Sequence, residues 1–199
     1  EIDADVVVLQ EADKRIGSRA GVLPLDRLEI ELGLVPTDVS RRPLSHGWHG
    51  NAILLKSHLI DHTPCRIDLP STEPRGAVSV RLLDPQLEII GVHLGLTPGM
   101  RRKQMRALQE VLQGREHPVV LAGDFNEWNS ERVAFEAPST VVSPGPSFHA
   151  ARPTSMLDRF VLSSGLRAVS SHVHHSPLSK RASDHLPVVV DLAFTETPK

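Results

Sequence analysis

Residues 118–126 read Pro-Val-Val-Leu-Ala-Gly-Asp-Phe-Asn. The apolar, β-branched run between Pro118 and Gly123 predicts a buried strand. It delivers Asp124 and Asn126 at its end. A carboxylate placed there is costly to desolvate unless it meets a cation or hydrogen-bond donors. The pattern recurs along the chain. A buried run at 6–9 is followed by Gln10 and Glu11, a strand at 87–93 closes on His93, and Asp184 and His185 precede a strand at 187–192. Strand ends on one edge of a sheet are where α/β proteins gather their sites. Several carboxylates in such a place imply a bound cation. Oxygen donors without cysteine pairs suit Mg2+ or Mn2+ better than structural zinc.

Outward from these runs, strands are predicted at 52–55, 57–68 and 77–83, the last paired with 87–93 across the Asp84-Pro85-Gln86 turn. Residues 13–32 read as helix or loop, stopped by Gly33. In 99–112 the apolar residues Met105, Leu108, Val111 and Leu112 fall at helical spacing, with Arg101, Arg102, Lys103 and Arg106 read as a basic, solvated face able to steer an anion. The Pro-, Ser- and Gly-rich stretch 138–147 reads as a loop, and 156–162 and 187–192 as the last two strands. Many strands and few helices, with hairpins and crossovers, predict an α/β sandwich.

The chain has 199 residues, enough for one domain with a sizeable core. Hydrophobic residues make up 40% and charged residues 23%, an ordinary globular composition. A net charge of −2 argues against a dedicated duplex-binding protein, and an aromatic content of 4% leaves little for base-stacking platforms. One cysteine, Cys65, allows no internal disulfide, which fits a reducing compartment and equally a cysteine-poor secreted protein. No apolar run reaches the ~20 residues that span a bilayer. These grounds leave the compartment open, with a cytoplasmic address favoured.

Leu9-Gln10-Glu11, Gly123-Asp124-Phe125-Asn126 and Ser183-Asp184-His185 resemble signature blocks of the endonuclease/exonuclease/phosphatase superfamily, whose fold is that of deoxyribonuclease I. Gly50-Asn51-Ala52-Ile53-Leu54, Arg75-Gly76-Ala77, His93-Leu94-Gly95 and Leu157-Asp158-Arg159 resemble four more, all in the family's order. The resemblance implies a four-layer sandwich of two mixed sheets flanked by helices, and Mg2+-dependent hydrolysis of a phosphate ester. Glu11 is the implied metal ligand, with Asp184 near the metal. Asp124 positions or deprotonates the attacking water, and Asn126 hydrogen-bonds that water or a phosphoryl oxygen. His185, oriented by Asp158, contacts the scissile phosphate. His93 acts at the phosphate or leaving group, and Asn51 hydrogen-bonds on the phosphate side. The implied substrate is a phosphodiester in nucleic acid, a nucleotide or a phospholipid head group, with no obligate protein partner. Membrane contact would need an exposed apolar loop, for which Pro24-Leu25 and Pro43-Leu44 are the available segments.

Each residue also has a structural reading. Glu11 taken alone is a solvated strand-end residue, Asp124 and Asp184 are turn caps, His93 is packed, and Asn51 is a turn residue. Arg75 and Arg159 would be surface ion pairs. Asp158 and Arg159, adjacent in a strand, should face opposite ways, which leaves Arg159 outside the core site. His172, His174 and His175 read as a rim cluster, with His172 and His174 sharing one strand face. The family begins with a strand, ending in an Asn, and a helix that precede the Leu-Gln-Glu strand. Here the chain opens at the second strand, so one N-terminally incomplete domain over 1–199 is expected. The rival reading is a catalytically silent binding or scaffold protein that keeps the fold.

Overall fold

The computed structural model describes every residue except 15, 60, 72–75 and 196–199. The elements run β1 (Val6–Leu9), α1 (Leu25–Leu32), β2 (Leu34–Pro36), β3 (Ala52–Lys56), β4 (His62–Asp68), β5 (Gly76–Leu82), β6 (Leu87–His93), α2 (Pro98–Gln113), β7 (Val119–Asp124), β8 (Thr140–Val142), β9 (Asp158–Leu162), β10 (Leu166–Val173), α3 (Ser179–Ala182) and β11 (Val188–Phe194). Six strands form the central sheet in the order β4-β5-β6-β7-β9-β8. Only β6 and β7 are parallel in it, joined by the crossover helix α2.

Strand alternation assigns the two faces of this sheet. On one face Ala77, Ile90, Val92, Val119, Leu121 and Val161 pack under Met105, Leu108 and Leu112 of α2. The predicted helical spacing is what turns that stripe inward. On the other face lie two small antiparallel sheets, β1-β3-β2 and β10-β11. Ile53 and Leu55 of β3 pack against Val78, Val80 and Ile89. Val188, Val190 and Leu192 of β11 pack against Val120, Ala122, Phe160 and Leu162. Burying one such aliphatic side chain is worth about 1.5–3 kcal/mol, so two packed faces hold the central strands firmly. The result is the layered α/β sandwich expected, with its second sheet layer in two pieces.

Several local readings are corrected. Helix α1 occupies only the end of 13–32, and Gly33 closes it in the left-handed region at φ 64°. Strand β4 starts at His62, after a turn at 57–58. The 138–147 loop contains β8, and the strands β2 and β10 were not predicted. His172 lies in β10, but His174 falls past its end and bonds Glu1 at 3.1 Å, so the two do not share a strand face. Arg101 does not belong to a solvated face. It is buried and ion-paired to Glu127 at 2.9 Å, while Arg102, Lys103 and Arg106 are exposed.

Candidate active site

The sheet's hydrogen-bond register builds the site. His93, the last residue of β6, is the direct neighbour of Asp124 at the end of β7, and Asp124 is the neighbour of Asp158 at the start of β9. Three side chains from three adjacent strands thus stand in one row, and all three are buried. His93 Nε2 lies 3.4 Å from Asp124 Oδ2. The other Asp124 oxygen, Oδ1, accepts the backbone N–H of Asn126 at 2.7 Å. Asn126 has a left-handed backbone, φ 51°, and its side-chain amide donates to Leu94 O at 2.9 Å. Asparagine tolerates that conformation better than most residues. The turn spends one amide proton and leaves a second, with Oδ1, for a ligand.

Asp158 holds the next residue in the array. Its Oδ2 lies 2.7 Å from His185 Nδ1 and also accepts the Ser147 hydroxyl. A carboxylate on Nδ1 places a proton there and leaves Nε2 as the ring nitrogen for a ligand. The Phe148 ring packs 4.9 Å from the His185 ring, centre to centre. Burial works against the imidazolium. The Asp158 hydrogen bond and the charges of Asp158, Asp124 and Asp184 outweigh it, so His185 is held above the ordinary histidine value. Asp184 itself is exposed, and its backbone carbonyl is fixed by Ala150 N at 2.7 Å.

The opposite flank comes from β1 and β3. Gly123 has φ 144°, and a Cβ on it would sit 2.0 Å from Val92 O and 3.0 Å from the Gln10 amide nitrogen. Glycine lets the Gln10 side chain lie directly over the end of β7, which brings Glu11 to the same edge as Asp124. Glu11 is exposed and also left-handed, at φ 58°. A non-glycine residue held there marks local strain of the kind that gathers at functional sites. Gly50 presses against Glu11: a Cβ on Gly50 would lie 3.3 Å from Glu11 Cα, and Gly50 O accepts Ala12 N at 2.9 Å. Asn51 beside it is fully buried, donates to Gly76 O at 2.9 Å, and leaves Oδ1 without a hydrogen-bond partner among the described residues.

These donors fit a hard divalent cation. Glu11 offers an exposed carboxylate, and Asn51 an orphaned amide oxygen on the same flank. Among the described residues no three His, Cys, Asp or Glu side chains form a complete cage. Mg2+ does not require one, because it keeps several waters and takes one or two protein carboxylates plus substrate oxygens.

All the predicted residues therefore lie on one edge of the sandwich, with Glu11 and Asn51 on one flank, Asp184 and His185 on the other, and His93, Asp124, Asn126 and Asp158 between them. Asn51 lies deeper than a surface phosphate ligand would. Asp158 and Arg159 do face opposite ways, yet Arg159 is no surface ion pair. It is fully buried and donates to Glu127 O at 2.9 Å. Arg75 lies outside the described residues. Sequence reasoning missed Ser147, Phe148 and the buried Arg101–Glu127–Arg159 network behind Asn126. Only Glu127, an acid directly after the Asp124–Asn126 turn, carried a local signal.

The endonuclease/exonuclease/phosphatase family is matched over residues 1–185. The uncharacterized protein YbhP of Escherichia coli K12 is 34% identical over 92 residues, which span 43% of this chain and 36% of that protein. Among solved structures, a functionally unknown protein from Enterococcus faecalis V583 superposes with a TM-score of 0.71 at 17% identity, covering 97% of this chain and 86% of that one. D. rerio TDP2 complexed with single strand DNA product superposes with a TM-score of 0.67 at 17% identity, covering 95% and 86%. At such identities the two structural likenesses speak for the fold alone.

Proposed function

The chain belongs to the endonuclease/exonuclease/phosphatase family, and from that premise we propose that it is a divalent-metal-dependent phosphodiesterase that cleaves its substrate by attack of water. One observation carries the reading: the register of β6, β7 and β9 lines up His93, Asp124 and Asp158, with His185 bonded to the last of them.

Asp124, fixed through Oδ1 by the Asn126 N–H and flanked by His93 at Oδ2, accepts the proton of the attacking water. Asn126 orients that water or a phosphoryl oxygen with its remaining amide proton. His185, whose hold on a proton Asp158 strengthens, donates to the phosphate or to the departing oxygen, so the proton taken on one side is returned on the other. His93 contacts a phosphoryl oxygen beside Asp124. Glu11 would hold Mg2+ or Mn2+, which when bound supplies positive charge to the phosphoryl oxygens, while Asp184 stands on the opposite flank. The substrate is a phosphate ester of the nucleic acid, nucleotide or phospholipid head-group kind.

The test is release of p-nitrophenol from bis-p-nitrophenyl phosphate with Mg2+ or Mn2+. Asp124→Ala and His185→Ala should each lose about 10²–10⁴-fold in turnover. Equal, negligible turnover in wild type and both variants would overturn the proposal and favour a binding protein that retains the fold.

A further inference from the structure

On the Glu11 flank, two loops are tied into one unit. Buried Asp13 accepts the Ser45 hydroxyl at 2.5 Å and the His46 backbone N–H at 2.7 Å. Gly21 N bonds Leu44 O at 2.7 Å, and the His46 ring fills the space a Gly21 Cβ would need. The second loop ends in Trp48, which exchanges backbone hydrogen bonds of 2.9 and 3.0 Å with Asn51. His49 lies 4.5 Å from the Trp48 ring, and the Arg41 guanidinium carbon stands 5.5 Å from that ring's centre. Asp13 is two residues from Glu11, and His49 two from Asn51, so this unit borders the cleft.

Its charge is concentrated. Arg19 stands just before Ala20 and Gly21, whose backbones bond Lys14 and Leu44, and Arg41 and Arg42 follow one another on the second loop. Arg66 is spent on the carbonyls of Val39 and Ser40. Among the described residues, Arg41 and Arg42 are exposed and pair with no carboxylate. Three arginines are carried on these two tied loops although the whole chain has a net charge of −2. A guanidinium braced on an indole face keeps its planar fork of donors ordered, and that fork matches phosphate geometry.

We propose that Arg19, Arg41, Arg42 and His49 form a second anion subsite, which takes a non-scissile phosphate group of the same substrate; this rests on the phosphoester-hydrolase reading. The preferred substrate then carries a second phosphate next to the one that reacts, either a terminal monoester or a neighbouring backbone phosphate.

Binding is tested with inorganic pyrophosphate, titrated calorimetrically into the full chain in the presence of chelator. The Arg41→Ala/Arg42→Ala pair, and separately Arg19→Ala, should weaken binding about tenfold or more, as lost charge-assisted contacts do. Arg81→Ala/Arg167→Ala, two exposed arginines near the opposite ends of β5 and β10, should leave it unchanged. Equal loss in the loop and control pairs, or no loss in either, overturns the subsite. A kinetic arm compares the dinucleotide TpT with pTpT for a terminal phosphate and with TpTpT for a backbone phosphate. Wild type should show a KM about tenfold lower for at least one of the larger substrates, and the loop pair should erase that advantage. An unchanged KM ratio in the loop pair also overturns the subsite. Absence of turnover on every diester defeats the hydrolase reading instead, and the calorimetry still decides the subsite.

Discussion

Ser147 and His185 meet on a single atom, Oδ2 of Asp158. The serine holds the carboxylate and the carboxylate holds the imidazole, so the orientation of His185 depends on a hydroxyl from a distant loop. Ser147→Ala should lower turnover about fivefold, the worth of roughly 1 kcal/mol of lost hydrogen bonding, with Ser147→Thr recovering part of it. Steady-state kinetics on bis-p-nitrophenyl phosphate measures this. Unchanged kcat in Ser147→Ala would show that Asp158 needs no second support.

The raised His185 value sets a pH dependence. Because the folded value lies above the ordinary one near 6.5, the charged ring stabilises the fold fully below that point, and the contribution fades as pH rises through the folded value. Asp158→Asn removes the main cause and leaves burial to dominate, so His185 should titrate at lower pH. The alkaline limb of the pH–rate profile should move the same way. NMR titration of the imidazole protons checks the first expectation, and an unmoved titration would refute it.

At the far end of β6, buried Glu88 binds Arg115 at 2.7 Å and His117 at 2.8 Å. Burial raises its proton affinity, but these partners and Ser79 more than offset it and hold the carboxyl below its ordinary range. Its contribution to stability is therefore present above the ordinary carboxylate value, about 4.3, and is lost as pH falls through the depressed folded value. Glu88→Gln should cost about 3 kcal/mol at pH 7 and progressively less in acid. Thermal melts across pH test this; a gap between wild type and variant that does not narrow in acid would contradict it.

Arg101 and Glu127 form an ion pair beneath Asn126, both side chains only 4% exposed. Removing one partner strands the other in a desolvated place, at a cost of about 3–5 kcal/mol. Arg101→Met and Glu127→Gln should each be that costly, and the double variant less than their sum. Urea denaturation of the three variants gives the coupling, and strict additivity would mean the pair is not coupled.

Gly123→Ala should be the most damaging small substitution on the catalytic edge. The added methyl would meet Val92 O at 2.0 Å in a backbone conformation that L residues rarely adopt. A loss on the order of 4 kcal/mol or more follows, read as failure to recover folded protein.

Much of this was legible because the strands that carry chemistry are short apolar runs ending in polar residues. The Val119–Asp124 run announced β7, and the spacing of Met105, Leu108 and Leu112 announced α2. What escaped notice was set by tertiary contact. Strand β10 alternates weakly, with Ser170, Ser171 and His172 exposed, and is made a strand by pairing with β11. Arg101 lay at a position that also suits a solvated face, and it is drawn inward by Glu127, 26 residues away, and by the carbonyls of Gly95 and Leu96. Ser147 sits in a stretch whose composition says loop and nothing more. His93, Asp124 and Asp158 were each visible, but their alignment in one row is a property of register across strands far apart in the chain.

The second sheet layer is in two pieces. Strand β1 is laddered to β3, and β11 to β10, and among the described residues no ladder joins the pieces. The two flanks of the site therefore ride on separate rafts, one of three strands and one of two, moored to the central sheet by side-chain packing and by the Asn51–Gly76 and His185–Asp158 hydrogen bonds. A lone two-stranded ribbon is the weaker raft. Amide protons of β10 and β11 should exchange with solvent through partial openings that leave β6 and β7 protected. Each such opening would carry His185 away from Asp158 while Asp124 and His93 stay in place, so catalytic competence would be lost before the molecule unfolds.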